Sequence, residues 1–562
     1  MDVIGNTNLF SLYPNKSLTI KGPKMMTLVK SAISDGTKAR IISIESSYSK
    51  GFAAIQVIGN ATEICRDGKE RAKIALEKIG VSIPTRRITI SIAPADLKKD
   101  GNHLDLPFAI SLGLLIKGQK PRIDPSKWLF AAELGLNGEL RPTRNIISFA
   151  LNAVSNTVQG IILSKANLPE VAVLTKVGGP ALATLDAFAF ETLDDVFDWL
   201  MRGDHNGVSA HSFPLDQLDF QHDEALDYDD MILTKNQQSM IQAVATGFHS
   251  VLLRGSPGTG KSMLAERLPS LLPPMSSKEH IQALQIQSMS KDRIPLSLLR
   301  GRPPYRHPHH QASASAILGN PNGPGELSLA HGGVLFLDEF PEFRRDLIES
   351  LREPLETGEI QVSRAKSKVK WHSRVLLITA CNNCPCGWWG SSARLCSCTS
   401  QKREAYRQRL SGPILDRIDI HFNTPEHQRD ISSIYTELDH ASTSGQTERM
   451  KARIEEARAF GFKRNQKYGY TFNWQIRPKD LIKISGLSSE TFEKYLGKVT
   501  KRGTSARSIT KSLRVARSLA DLDEKDQIAP EHFEQAWLWQ AEASAIARGE
   551  PVHILPEVAP RH

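Results

Sequence analysis

The stretch "GSPGTGKS", residues 255 to 262, follows the apolar run "SVLLR" and leads into the helix-like "MLAERLPSLL". It constrains the fold more than any other, because a glycine-rich loop ending in Lys-Ser works only between the end of a buried strand and the start of a helix. There, backbone N–H groups wrap phosphate oxygens, Lys261 reaches the β and γ phosphates, and the Ser262 hydroxyl ligates Mg²⁺. Gly255, Ser256, Pro257, Gly258, Thr259, Gly260, Lys261 and Ser262 are therefore expected to hold ATP.

Two later runs have the look of neighbouring buried strands. "GVLFLDE" ends on Asp338 and Glu339, a pair in which the first can hold Mg²⁺ through water while the second polarises an attacking water. "RVLLITACNN" ends on amides, and Asn382 can orient that water or simply cap the next turn. Strands of this kind alternating with helices predict a parallel sheet with crossover helices over residues 231–430. Hydrolysis also needs cationic charge on the γ phosphate, commonly from an adjacent subunit. Candidates are Arg417 in "GPILDRIDI" and Arg507 and Arg514 in "SARSITKSLRVAR", where Lys511 recurs at helical spacing and is expected on the same face.

At 562 residues the chain is long enough for roughly three or four cores. Residues 1–203 mix strand-like and helix-like runs, with "ELGL" and "ELRP" joined through Asn137 and Gly138, a hairpin signal. The seam at 204–230 is acidic and without periodicity, as a linker would be. Residues 431–545 are helical and charged, and 546–562 read as a loose tail. The net charge of +10 suits a polyanion, solubility being the plainer alternative. No apolar run approaches the roughly 18 residues that cross a bilayer. The opening "MDVIGNTNLFSLYP" has no basic segment followed by an apolar one, so a cytoplasmic location without a membrane partner is expected.

Five of the six cysteines fall within "CNNCPCGWWGSSARLCSC", residues 381 to 398. Reduced thiols clustered in this way point to metal rather than disulfides. Cys384, Cys386, Cys396 and Cys398 form two C-x-C pairs that can close around a tetrahedral Zn²⁺, leaving no open coordination position, so the metal would be structural. Cys381 and Cys65 are expected to pack. The three histidines of "YRHPHHQASAS" fit a polar loop better than a metal site. "GEIQVSRAKSKVKW" has two β-prone arms around "AKSK"; Arg364, Lys366, Lys368 and Lys370 there can track DNA phosphates without reading bases.

"PGELSLAHGGVLFLDEFPEFRRDLIESLREPLETGEIQVSRAKSKV", with "CPCG" and "RLSGPILDRIDIHF" beyond it, closely resembles the magnesium-chelatase-like AAA+ ATPases of the ComM/YifB type. The likeness covers nearly the whole chain: "GKERAKIALEKIG" and "RRITISIAPADLKKDGNHLDLPFAISLG" are similar to the family's Lon-like N-terminal α+β domain, and "SARSITKSLRVARSLADL" to its C-terminal helical lid. The resemblance implies a homo-hexameric helicase that drives branch migration on single-stranded and branched DNA, in recombination of transforming DNA and alongside recombination proteins. By position it makes Asn382 sensor 1, Arg417 the trans-acting arginine finger, and Arg507 or Arg514 sensor 2. The chain departs from the family at "LTKNQQSMIQAVATGFHS", where a V-x-G-Q-like stretch usually stands. It departs from Lon peptidases at "KDGNHLDL", which carries His103 in the nucleophile's place, with no partner lysine after "GELRPTRN", so no peptide cleavage is expected. Two other readings remain open: a metal-insertion motor, whose subunits generally lack the Lon-like domain and the cysteine loop, and a protein-remodelling ATPase.

Overall fold

A computed structural model describes residues 27–155, 158–203, 206–215, 226–364, 367–410, 412–425, 445–500 and 506–548. Strict alternation of apolar and polar residues shapes the first sheet. In β2 (Lys38–Ser49) and β4 (Arg87–Ala93), Ile42, Ile44, Ile88, Ile90 and Ile92 are buried while the residues between them are not, which is the period-2 signature of a strand covered on one side. That inner face packs on helices Glu63–Lys78 and Asp105–Lys117. With β1 (Thr27–Asp35), β3 (Ala54–Ile58), β5 (Trp128–Ala131), β8 (Gly160–Ser164), β9 (Asp186–Phe190) and β10 (Val208–Ser209) the sheet has the order β10-β9-β8-β5-β1-β2-β4-β3. The expected hairpin is present as β6 (Glu133–Leu134) and β7 (Leu140–Arg141). His103 is buried on this domain's core: its Nε2 donates to the Ala32 carbonyl at 2.8 Å and its ring lies 4.9 Å from that of Phe149.

The second sheet contains β11 (Val251–Arg254), β12 (Tyr305–Arg306), β13 (Val334–Leu337), β16 (Leu376–Cys381) and β17 (Ile420–Asn423), all parallel, in the order β12-β13-β16-β11-β17. Each residue of β11, β13 and β16 is buried, so these strands read as continuous apolar runs. An antiparallel hairpin, β14 (Glu359–Arg364) and β15 (Ser367–His372), stands between helix Arg352–Thr357 and β16. The helical region follows from Gln446, and helix Ala506–Leu522 joins the sheet's own core through Leu513, Val515 and Ala516 beside Val244, Ile420 and Phe422.

Two features differ from the sequence expectation. The segment expected as a linker is folded at both ends: β10 pairs antiparallel with β9 and Ala210 is fully buried, while Tyr228 is buried in the second domain and donates its hydroxyl hydrogen to the Leu264 carbonyl at 2.7 Å. Its polar composition hid single apolar anchors. The first two domains also share a core. Ala283 and Leu284 of helix Ser277–Ser288, with Leu298 and Leu299, pack against Phe149, Val171 and Leu174, and the Asn145 N–H donates to the Ser288 carbonyl at 2.8 Å.

Burial holds His103 down to about 4, against about 6.5 for an exposed histidine. A folded-state value below the unfolded one means that neutral His103 favours the fold above pH 6.5, and that this contribution is lost as the pH falls toward 4. The difference amounts to about 3 kcal/mol once His103 must charge. Melting temperature should therefore be level above neutrality and fall between pH 6.5 and 4. His103→Gln should make the fall shallower; His331 and His421, which burial holds at about 3, add to the fall, while Asp105 and Glu170, which burial raises to about 6 and about 7, oppose it, and an unchanged slope in His103→Gln shows that His103 does not charge on unfolding.

Candidate nucleotide site and cysteine cluster

The loop 255–260 leaves the C-terminal end of β11 between β16 and β17, and helix Lys261–Arg267 starts at its Lys-Ser end. Gly258 and Gly260 have φ of +80° and +77°, the left-handed region open to glycine. A Cβ on Gly255 would fall 2.1 Å from the Thr424 Oγ1, so that glycine seats the loop against the end of β17. The Lys261 ammonium donates to the carbonyls of Gly255 and Ser256 at 3.1 and 2.9 Å, and burial draws it below the ordinary lysine range. The Ser262 hydroxyl donates to the Asp338 Oδ2 at 2.7 Å. A hydroxyl and a carboxylate thus converge beside a lysine and a ring of backbone N–H groups, a donor set that fits a Mg²⁺-bound triphosphate. Residues 228–231 lie along helix Lys261–Arg267: Asp230 pairs with Arg267 at 2.5 Å, and Met231 approaches Gly260. Beyond them Thr234 caps helix Lys235–Gly247 with Gln237 in a capping box, the local use of the "LTKNQQ" stretch.

Asp338 and Glu339 follow the end of β13, and Asn382 follows the end of β16, the two strands being paired. Glu339 takes φ +50°, and its N–H is held by the Asp338 Oδ1 at 2.8 Å. Its Oε2 lies 2.9 Å from the His310 Nδ1. His310 is a site residue that spacing along the chain does not reveal; the "HPHH" loop becomes informative only when the sheet lays it across β13. His309 packs on it with ring centroids 4.2 Å apart, and Phe343 meets its edge.

The candidate arginines gather elsewhere. Arg417 precedes β17, whose first residue pairs with the first of β11, so it lies at the opposite edge of the sheet from its own phosphate loop. Its Nη2 is 3.0 Å from the Glu356 Oε1, and its Nε and Nη1 donate to the carbonyls of Arg352 and Pro413. Arg507 pairs with the same Glu356 oxygen. Arg507, Lys511 and Arg514 share a face of helix Ala506–Leu522, close enough for their charges to act on one another, but take different partners: Lys511 is buried and donates to the Ile418 carbonyl, and Arg514 donates twice to the Ile476 carbonyl. Packing against β17 and residues 476–484 draws those two inward, and Arg507 alone of the three reaches Glu356.

Cys384, Cys386, Cys396 and Cys398 bring their sulfurs within 4.8 Å of one another, with separations of 3.3, 3.7 and 3.6 Å among the first three. Tetrahedral zinc with thiolate bonds of about 2.3 Å places sulfurs about 3.8 Å apart, so the cluster fits the ion. The loop also braces the nucleotide site, because a Cβ on Gly387 would fall 2.5 Å from the Pro257 Cγ. On the β14–β15 hairpin, Arg364 pairs with Ser367 and Lys368 with Ser363 in the backbone register, and the Lys370 Nζ is 3.3 Å from the Glu359 carboxylate. Lys366 lies outside the described residues. Among these residues no helix is long and apolar enough to cross a membrane.

Three family models match in series: subunit ChlI of Mg-chelatase over residues 44–167, magnesium chelatase subunit ChlI over 227–431, and the ChlI C-terminal region over 444–539. Among curated proteins, the uncharacterized protein YifB of Salmonella typhimurium is 33% identical over 519 residues, covering 92% of this chain and 97% of its own. Competence protein ComM of Haemophilus influenzae is 32% identical over 518 residues, with the same coverage of both. An uncharacterized protein of Mycobacterium tuberculosis, Rv2897c, is 30% identical over 490 residues, 87% of this chain and 93% of its own. With a phosphate loop, an acidic strand end and a parallel five-stranded sheet all in register with that likeness, the chain belongs to the ComM/YifB family of magnesium-chelatase-like AAA+ proteins.

Proposed function

We propose that this chain is an ATP-driven DNA motor that works as a homo-hexameric ring and promotes branch migration during recombination of incoming DNA. The observation that carries the reading is the Ser262–Asp338 contact at 2.7 Å, with Glu339 next in the chain, at the edge of the sheet opposite Arg417 and Arg507. Neither arginine can serve the nucleotide of its own chain from there, so each site is complete only when a second copy presents that edge to it. Repetition of such a head-to-tail contact closes a ring. Bound Mg²⁺-ATP supplies the phosphoanhydride whose cleavage drives the motion. Lys261 leaves its two carbonyls to neutralise phosphate charge, Ser262 and Asp338 hold the metal, Glu339 takes the proton of a water oriented by Asn382, and Arg417 with Arg507 offsets the developing negative charge. His310 holds the Glu339 carboxylate until the ring engages its substrate.

DNA as substrate is supported by the likeness to competence protein ComM, the net charge of +10, and the basic hairpin 359–372. Recombination proteins are then the expected partners and the cytoplasm the expected place. The match to magnesium chelatase subunit ChlI favours one other reading, a metal-insertion motor; it predicts ATP hydrolysis that ignores DNA.

Hydrolysis by the purified chain should rise with single-stranded DNA and with a four-way junction, and the rise should weaken with salt. Lys261→Ala should lower turnover at least about 100-fold, and turnover retained in that variant removes the loop assignment. Replacement of Lys366, Lys368 and Lys370 by Ala should leave DNA-free hydrolysis intact while stopping branch migration. His310→Ala should raise DNA-free hydrolysis several-fold and shrink the DNA-stimulated ratio, whereas a variant that loses basal turnover shows His310 to assist rather than restrain. Elemental analysis should find one zinc per chain. Cys384→Ser should lose it and bind ATP more weakly, through the Gly387–Pro257 contact.

A further inference from the structure

Among the described residues, the part of the first sheet formed by the second half of β2 with β4 and β3 carries no helix on its outer side. Toward the tip the residues of β2 and β4 that point away from the core are mostly small and polar: Ser47 and Ser49 are exposed, Thr89 and Ser91 are half-buried beside them, Ser49 and Thr89 hydrogen-bond across the strands at 3.1 Å, and Glu45, paired with Ser91, bounds the stretch on the side away from the tip. Gln56 of the edge strand β3 adds an amide. Where β2 ends and β4 begins, this face runs out into a tip built from two loops. Phe52 stands there 97% exposed and Tyr48 41% exposed. The Arg86 guanidinium lies 5.7 Å from the centre of the Tyr48 ring. Arg87 bonds to the Gln56 side chain and sits so close to Gly51, at φ +135°, that a Cβ there would be 2.9 Å from its Nη1. Lys50 is exposed in the same loop. Neither 46–62 nor 81–95, the two segments that build the tip, contains an aspartate or glutamate.

We infer that this tip and the hydroxyl-lined face behind it bind single-stranded DNA, with Phe52 as a stacking platform and Lys50, Arg86 and Arg87 as phosphate contacts. The inference rests on the DNA-motor reading and deepens it by giving the first domain a substrate. An aromatic ring left in water beside cations is what sequence-tolerant strand binding uses, since every base has a face to stack and every nucleotide a phosphate. Small hydroxyl side chains let the strand approach the sheet and donate to it. The exposed apolar side chains here, Phe52, Tyr48 and Ile58, are interspersed with Lys50, Arg86 and Gln56 rather than joined in the contiguous apolar patch that a bilayer or a protein hot spot needs. Position agrees as well. At the other end of β2 the β1–β2 turn touches the motor's hairpin, where a Cβ on Gly36 would lie 3.2 Å from the Val369 Cγ1. From there β2 runs roughly 36 Å to the tip, its first half covered by helix Ile146–Ser155 through Ala39 and Ile41 and its second half open.

The test is fluorescence anisotropy of a labelled thirty-nucleotide oligo-dT on the full chain without nucleotide, alongside DNA-free ATP hydrolysis. Phe52→Ala should weaken binding roughly fivefold or more, with Phe52→Tyr near wild type. Lys50→Gln should lower the salt dependence by about one phosphate contact. DNA-free hydrolysis should be unchanged in all three. Wild-type binding with Phe52→Ala and Lys50→Gln both at wild-type affinity overturns the tip alone. No binding of oligo-dT by the wild-type chain, with hydrolysis intact, overturns the motor reading and this inference together. Binding of phosphatidylserine vesicles in place of oligo-dT, lost in Phe52→Ala, overturns the choice of occupant.

Discussion

The arrangement depends on one steric fact: a loop that surrounds phosphate with backbone N–H groups must leave the carboxyl end of a strand whose neighbours run the same way. β11 meets that condition between β16 and β17. Because the three strands are parallel, their carboxyl ends bring Gly255, Asn382 and Thr424 to one edge, and β13 adds Asp338 and Glu339. The same parallel order sends Arg417 to the other edge. Arg417 thus stands a strand's length from the phosphate loop of its own chain.

Much of this was legible in the sequence because it is local. The phosphate loop, the Asp-Glu strand end, the β6–β7 hairpin and the paired C-x-C cysteines each occupy fewer than about twenty residues, within which spacing alone dictates geometry. What escaped depends on contacts made across the chain. His310 meets Glu339 only because the loop after β12 crosses β13, and Glu356 joins Arg417 and Arg507 from three separate elements. The helical spacing of Arg507, Lys511 and Arg514 was read correctly as one helix. Their separate partners are not legible from that spacing, because tertiary packing against β17 selects which residues of the face are buried.

Polar composition misled in the segment 204–230 for a related reason. A single buried tyrosine or alanine can anchor a stretch whose average character is that of a linker, and Tyr228 and Ala210 do so on two different domains. Buried polar groups in the helical region act in the same sense. Asp521 receives Arg464 at 2.6 Å and Arg517 at 3.1 Å, a network whose partners are all supplied within the lid and whose loss would leave an unpaired charge inside it.

The shared core between the first domain and helix Ser277–Ser288 has a mechanical consequence. A domain joined only by a tether would average out any motion of the motor, whereas one whose apolar side chains interlock with a motor helix turns with it as a rigid lever. With an arm of roughly 36 Å along β2, a rotation of about 5° at the fulcrum swings the far end by about 3 Å. The first domain thus has the reach to turn a small closure of the nucleotide cleft into a movement several times larger at its far end.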